Sequence, residues 1–340
     1  MNVSYYELIS VENLFKSWRA YKKEKGRKAD VVEFERHLED NLFSLHNQLK
    51  KGNYQHDSYS HFKISDPKKR DIYKSTVRDR IVHQALYEYL CKIYEPVFIE
   101  RSFSSRKGKG THKAVLTLSK IARDFRKNGK KCFAMKCDIR KYFENVNHKI
   151  LLEILQNKIQ DDKVINLLKI IIESFNKEAG KSVPLGNITS QIFANIYLNE
   201  LDKFILEELG IKNYVRYNDD FIVLDEDEQK LFADIKKIKI FLKDKLLLEL
   251  PKEKITFRKL SWGIDFCGCI ILPNAILIRN KTKRRMFEKL NLTFKKLNTG
   301  KISLSDSRKT TDSYLGLLSH CNSYNLRIKI KNEIFTSVDY

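Results

Sequence analysis

Two groups of carboxylates stand where apolar runs stop. Asp219 and Asp220 follow Tyr214-Val215-Arg216-Tyr217-Asn218 and precede Phe221-Ile222-Val223-Leu224. β-Branched and aromatic residues on both sides predict a hairpin with the acids at its tip. Asn and Asp are also ordinary turn formers, so a merely polar tip is the competing reading. Asp138 closes the run Phe133-Ala134-Met135-Lys136-Cys137, which predicts a strand ending in an acid. A carboxylate at a strand end opens on a cleft more readily than on a core. An acid there and an acid at a hairpin tip can converge on divalent cations. Mg²⁺ takes oxygen ligands, usually one or two carboxylates plus substrate phosphates. A pair of ions can hold both the attacking and the leaving oxygen of a phosphoryl transfer.

Between these acids lies Pro184-Leu185-Gly186-Asn187-Ile188-Thr189-Ser190-Gln191, opening a helical run. An apolar strand with Asp138 and then Phe143, a Gly-x-x-x-Ser segment at Gly186, and Tyr217-Asn218-Asp219-Asp220 occur in that order. The pattern resembles the reverse transcriptases. Leu185 and Gln191 stand where many reverse transcriptases have Gln and Pro. Leu-Gly-Asn-Ile-Thr-Ser-Gln looks like the enzymes of diversity-generating retroelements. So do Ser102–Val115 with its Gly108 and Gly110, Val77–Leu86, and Gly263–Gly268. The resemblance covers roughly residues 60 to 325. Asn218 departs from it, since the family usually has a small or apolar residue there.

The resemblance implies an α+β chain with the right-hand polymerase fold: fingers, antiparallel-sheet palm and short helical thumb. It implies RNA-directed DNA synthesis on two Mg²⁺ ions, with Mn²⁺ able to substitute. Asp138 and Asp219 become the direct metal ligands, with Asp220 in support and the carbonyl of Ile139 completing one shell. Lys69, Arg70 and Arg106 fall near the incoming triphosphate; Arg suits phosphate through its fork, Lys through point charge. Phe143 falls under the sugar and excludes a 2′-hydroxyl, unless it is a core aromatic. Leu185, Gly186 and Gln191 fall beside the nascent pair, and Tyr217 and Asn218 beside the primer end. Lys254, or Lys252 if the alignment slips, becomes the general acid for departing pyrophosphate. Leu185 in place of Gln implies a looser check on base geometry and low fidelity.

Composition agrees independently. The chain has 65 Lys plus Arg against 43 Asp plus Glu, a formal net charge of +22. A basic surface attracts phosphate backbones and binds them in a salt-dependent way. The hydrophobic share of 42% is enough for a sizeable core. No apolar run reaches the roughly 18 residues of a membrane span. The start Met1–Glu7 lacks a basic-then-apolar design, so a cytoplasmic protein without a membrane partner is expected. Six cysteines include no Cys-x-x-Cys pair, so zinc is not expected. Cys132, Cys137, Cys267 and Cys269 read as thiols of strand-like segments, Cys91 and Cys321 as isolated ones.

Four segments are expected: a helical extension over 1–59, fingers over 60–130, palm over 131–272 and a basic helical thumb over 273–340. Apolar spacing predicts helices across 5–50, with a stop at Gly52. A helix is expected over 78–93 and another over 190–209, and Asp66–Ile72 reads as a basic turn entering a strand. The expected partners are an RNA template, a DNA primer or product, and deoxynucleotides. A structured noncoding or template-repeat RNA, a small basic accessory protein, or a second polymerase could join them. The competing roles are antiphage defence with a noncoding RNA, by protein-primed or template-independent synthesis, and a catalytically dead RNA-binding scaffold.

Overall fold

The computed structural model describes residues 4–65 and 69–338. The chain opens with helices α1 (Tyr5–Leu8), α2 (Val11–Lys22), α3 (Ala29–Arg36) and α4 (Leu38–Lys51). Ser4 and Glu7 form a reciprocal capping box on α1, and Ser10 caps α2. α4 stops at Gly52, whose φ of +71° suits glycine. The hairpin β1 (Ser60–Ile64) and β2 (Arg70–Lys74) follows, then α5 (Val77–Tyr94) and α6 (Thr111–Lys127). Of the expected basic turn at 66–72, residues 66–68 lie outside the described residues.

The next segment holds β3 (Phe133–Asp138), α7 (Tyr142–Asn145), α8 (His148–Gln156), α9 (Asp162–Glu173) and α10 (Ile188–Lys203). α10 runs on into a π-helical turn, Phe204–Glu208, which completes the expected helix over 190–209. It is buried nearly all round, so its sequence is apolar beyond a single stripe. Then come β4 (Tyr214–Tyr217), β5 (Asp220–Asp225), α11 (Glu228–Leu246), β6 (Ile255–Lys259), β7 (Ile264–Phe266), β8 (Cys269–Ile271) and β9 (Ile276–Ile278). Three helices close the chain: α12 (Asn280–Asn298), α13 (Leu304–Ser319) and α14 (Tyr324–Val338).

The chain forms two compact units, each discontinuous in sequence. The first takes residues 1–99, 139–208 and 237–250; the second takes 100–138, 209–236 and 251–340. In the second, an antiparallel sheet has the order β4-β5-β3-β6. Val215, Ile222, Leu224 and Ala134 on one face pack with Val115 and Leu118 of α6, and with Phe266 and Ile271 of the three-stranded sheet β7-β8-β9. Met286, Leu290, Leu318 and Ile330 form a separate small core among α12, α13 and α14.

All six cysteines are free thiols. Cys321 is not isolated as expected: its Sγ lies 3.7 Å from Cys269 Sγ, because the turn after α13 returns to the β8 strand.

Candidate active site

The hairpin forms as expected, with Tyr217 opposite Asp220 and Asn218-Asp219 as its loop. Asn218 sits at φ +58°, a left-handed conformation that Asn tolerates. Arg216 fixes the loop from below. It is fully buried, and its Nη1 donates to the Asn218 carbonyl at 3.1 Å. Its backbone joins Arg101 and Phe103, so the segment before the glycine-containing loop is stitched to β4. The Tyr217 hydroxyl is hydrogen-bonded to Ser104 and Thr111, and burial raises its pKa. Tyr217 is therefore engaged with this segment at the base of the tip.

Pairing of β3 with β5 sets Asp138 directly opposite Asp220. The acids at a strand end and at a hairpin tip are thereby brought together. Lys254 enters from the turn before β6, and its Nζ donates to Asp138 Oδ1 at 2.6 Å. Asp138 raises the Lys254 pKa. Lys252, the alternative, makes no such contact among the described residues.

Lys136 completes the group. Residues i and i+2 of a strand share a face, so Lys136 lies beside Asp138 and diagonal to Asp220. Its Nζ is 3.0 Å from Asp220 Oδ2 and donates to the Asp265 carbonyl at 2.8 Å. The Asp265 carboxylate is in turn held by Arg279 at the start of α12. Burial pushes Asp220 up to about 6, against the pull of Lys136, and the charges of Asp138 and Asp219 push the same way. Asp219 is raised too, by burial and then by Asp138, while Asn218 Nδ2 donates to its Oδ1 at 3.1 Å.

Arg106 lies in this unit, with Nη1 donating to the Ser102 carbonyl at 2.9 Å. Gly108 and Gly110 adopt φ of +71° and +113° in the same loop.

Lys69, Arg70, Ile139, Phe143, Leu185, Gly186 and Gln191 belong to the first unit. Tyr142 takes the core position there: it is 1% exposed, and its hydroxyl donates to the Ala194 carbonyl at 2.6 Å. Phe143 is left half-buried, with its ring edge-on to Tyr142. The Leu185 carbonyl accepts from Tyr73 N at 2.8 Å, and the Leu185 side chain is half-buried. Gly186 has φ of +122°, and a Cβ there would meet Ile72 Cγ2 at 2.9 Å and the Tyr73 carbonyl at 3.1 Å. The glycine is thus required by the β2 strand crossing it. Lys69, Arg70 and Gln191 are exposed.

Sequence reasoning missed a basic cavity of about 730 Å³ in this unit, lined by Gly186, Gln191, Lys25, Lys28, Lys74 and Arg80 among others. Asp30 pairs with Lys74 at 2.6 Å and approaches Arg80 at 3.9 Å. Burial and then the charges of Arg80 and Lys28 depress the Lys25 pKa. Lys25 and Lys28 are far apart from Arg80 in sequence, so no run of charge announces the cluster.

The family model of the reverse transcriptase (RNA-dependent DNA polymerase) matches residues 63–271. The chain belongs to the reverse transcriptase family. That match spans Asp138, Gly186 and the Tyr217–Asp220 hairpin. It places this reverse transcriptase among proteins with the right-hand polymerase fold, consistent with its antiparallel sheet and flanking helices. The group II intron-encoded protein LtrA of Lactococcus lactis subsp. cremoris is 29% identical over 201 residues, 56% of this chain and 33% of LtrA. Protein YkfC of Escherichia coli K12 is 28% identical over 149 residues, 42% of this chain and 39% of YkfC. The chain thus spans well under half the length of these relatives. Among solved structures, telomerase from Candida albicans with a fragment of telomeric RNA aligns with a TM-score of 0.48 at 12% identity, over 84% of this chain and 60% of that one.

Reverse transcriptases depend on divalent metal, and the acids here suit one. Among the described residues Asp220 Oδ1 is buried without a hydrogen-bond partner, and the charge of Asp138 raises the pKa of both Asp219 and Asp220. A cation relieves both. Among the described residues, however, no three His, Cys, Asp or Glu side chains form a ready cage. Lys254 holds Asp138 and Lys136 holds Asp220, so two ammonium groups stand in as counter-charges. Mg²⁺ sites of this class draw further ligands from substrate phosphates. No helix among the described residues is long and apolar enough to cross a membrane.

Proposed function

We propose that this chain extends a primer 3′ end with deoxynucleotides on an RNA template, as a low-fidelity polymerase of a diversity-generating retroelement. The observation that carries the polymerase reading is the register placing Asp138 opposite Asp220, with Asp219 in the adjoining loop and Lys254 on Asp138. Asp138 and Asp219 would hold two Mg²⁺ ions, helped by the Ile139 carbonyl, with Asp220 in support. Bound there, the ions supply Lewis-acid stabilisation and in-line orientation of the reacting oxygens.

The protein's own groups do the rest. Lys254 is held on Asp138, and its Nζ would be a charged donor for a proton to the departing pyrophosphate. Lys69, Arg70 and Arg106 bind the triphosphate. Phe143 closes the space at C2′, and Gly186 and Gln191 line the nascent pair. Tyr217 and Asn218 set the primer end. The segments 60–130, 131–272 and 273–340 serve as fingers, palm and thumb behind the helical extension 1–59. The basic cavity beside Gly186 supports binding of the template strand. Leu185 supports the mutagenic role, because an apolar side chain replaces an oriented hydrogen bond. A structured or template-repeat RNA and a small basic accessory protein are the partners this role needs.

Asp219→Asn tests the reading. Extension of a DNA primer on RNA with Mg²⁺ should fall at least about 100-fold. Folding and RNA affinity should stay near those of the parent. Extension at the parent rate would overturn the assignment.

A further inference from the structure

At the far end of the acid-bearing sheet is a groove that the reaction does not use. β3 begins at Phe133 and ends at Asp138. At about 3.3 Å per residue its two ends lie roughly 17 Å apart. The Phe133 end lines a cavity of about 470 Å³ within the second unit. Its floor is apolar, from Phe125, Cys132, Leu260 and Pro273. Arg126, Lys131 and Lys259 stand around it, all exposed. Lys130 is paired with Glu226 at 2.8 Å, whereas none of those three cations has a carboxylate within 4.0 Å among the described residues. Next to Leu260 stands Trp262, 69% exposed, with Lys259 Nζ 5.9 Å from its ring centre. A tryptophan so exposed leaves a large apolar face in water.

We propose that this groove binds single-stranded RNA away from the acid cluster, stacking an unpaired base on Trp262 and seating the neighbouring phosphates on Lys131, Lys259 and Arg126. Single strands are held by aromatic platforms flanked by cations, since every base has a flat π face. An acidic peptide matches the cations but offers no flat ring to the indole. The proposal rests on the RNA-copying reading for its purpose: an anchored RNA stays bound while its copied part moves past the acids.

The test uses the full chain, with the catalytic cleft saturated by an unlabelled DNA–RNA hybrid. Binding of a fluorescein-labelled oligouridylate is followed by anisotropy across salt concentrations. Trp262→Ala should weaken binding at least about fivefold, the lower end for one stacked base. Trp262→Phe should restore most of it. The pair Lys131→Glu and Lys259→Glu should flatten the log–log salt slope by about 1.4, since each of the two lost phosphate contacts to a single strand contributes about 0.7. Ultraviolet crosslinks should map to residues 259–262. Parent-like affinity and slope in both variants, or crosslinks confined elsewhere, overturn the proposal. So does tight binding of labelled polyglutamate without oligouridylate, which would make the groove a site for an acidic protein. Primer extension by the parent chain is run alongside. Its failure sinks the polymerase reading and leaves the groove result to stand by itself.

Discussion

Lys136 Nζ lies 3.0 Å from Asp220 Oδ2, diagonally across a strand pair in which Asp138 faces Asp220 and Ile222 faces Lys136. Removing the ammonium leaves a carboxylate with one oxygen already lacking a partner. Lys136→Met should therefore cost about 1–3 kcal/mol, the penalty of a stranded buried acceptor. Pairing it with Asp220→Asn should cost less than the two single changes added together, by about 0.5–3 kcal/mol. Denaturant unfolding of the four proteins measures this. Strict additivity would show that the contact is not energetically coupled.

Phe143→Ala should admit ribonucleotides. Tyr142 occupies the core position, which leaves the Phe143 ring half-buried and available. Opening the space at C2′ should reduce discrimination against ribonucleotides by about 10-fold or more, as for other purely steric pockets. Single-nucleotide insertion with paired deoxy- and ribonucleotides reads it directly. Unchanged selectivity would return Phe143 to a packing role.

Leu185→Gln should lower misincorporation several-fold while synthesis continues. One added hydrogen bond contributes about 0.5–1.5 kcal/mol net, or roughly two- to thirteenfold. Misinsertion on a defined RNA template is the measurement. An unchanged error spectrum in a folded variant removes the mechanistic reason for a mutagenic role.

Gly186→Ala should destabilise without touching any charged group. The new Cβ meets Ile72 and the Tyr73 carbonyl, and the backbone angle is one that alanine resists. Strain of this kind costs about 1–3 kcal/mol. Thermal melting should fall by about 2 °C or more. A variant melting with the parent would mean that β2 yields locally.

His83 should make stability depend on pH. It is buried, with Nε2 3.0 Å from His56 Nε2 and Nδ1 2.5 Å from Thr189 Oγ1. Burial, then the charge of His56, push its pKa down to about 3, while Asp79 opposes and Arg80 assists. A depressed folded pKa means that the unfolded chain takes the proton first. The contribution is full above about pH 6.5 and is lost as pH falls toward 3, by up to about 1.4 kcal/mol per pH unit. His83→Gln should show a shallower acid slope in unfolding free energy. An identical slope would assign the acid sensitivity elsewhere.

The acids, their strands and the helix after Gly186 were legible because each rests on local patterning. The strand carrying Asp138 and the hairpin carrying Asp219 declare themselves through apolar runs ending in turn residues. Lys254 was legible only through resemblance, since nothing in Pro251-Lys252-Glu253-Lys254 says which lysine faces Asp138. Lys136 was hidden because a charged residue inside a strand usually points to water. Arg216 was hidden for the same reason, although it is 0% exposed. The cavity of Lys25, Lys28, Lys74 and Arg80 depends on long-range packing of α2, α3, β2 and α5. The proximity of Cys269 and Cys321 likewise needs a return of the chain across 52 positions.

The contact of Lys254 with Asp138 joins residues 116 positions apart. β3 also pairs with β6, which lies as far along the chain. Closing such separations is slow, because loop entropy is lost before the contacts reward it. A nascent chain that has emerged only through the hairpin already carries all three acids, but not Lys254 or its sheet edge. Such a chain still exposes the open edge of β3, an invitation to pair with another chain. The Lys254–Asp138 contact and protection of the β3 edge from aggregation therefore arrive in the same late step, when residues 254–259 dock.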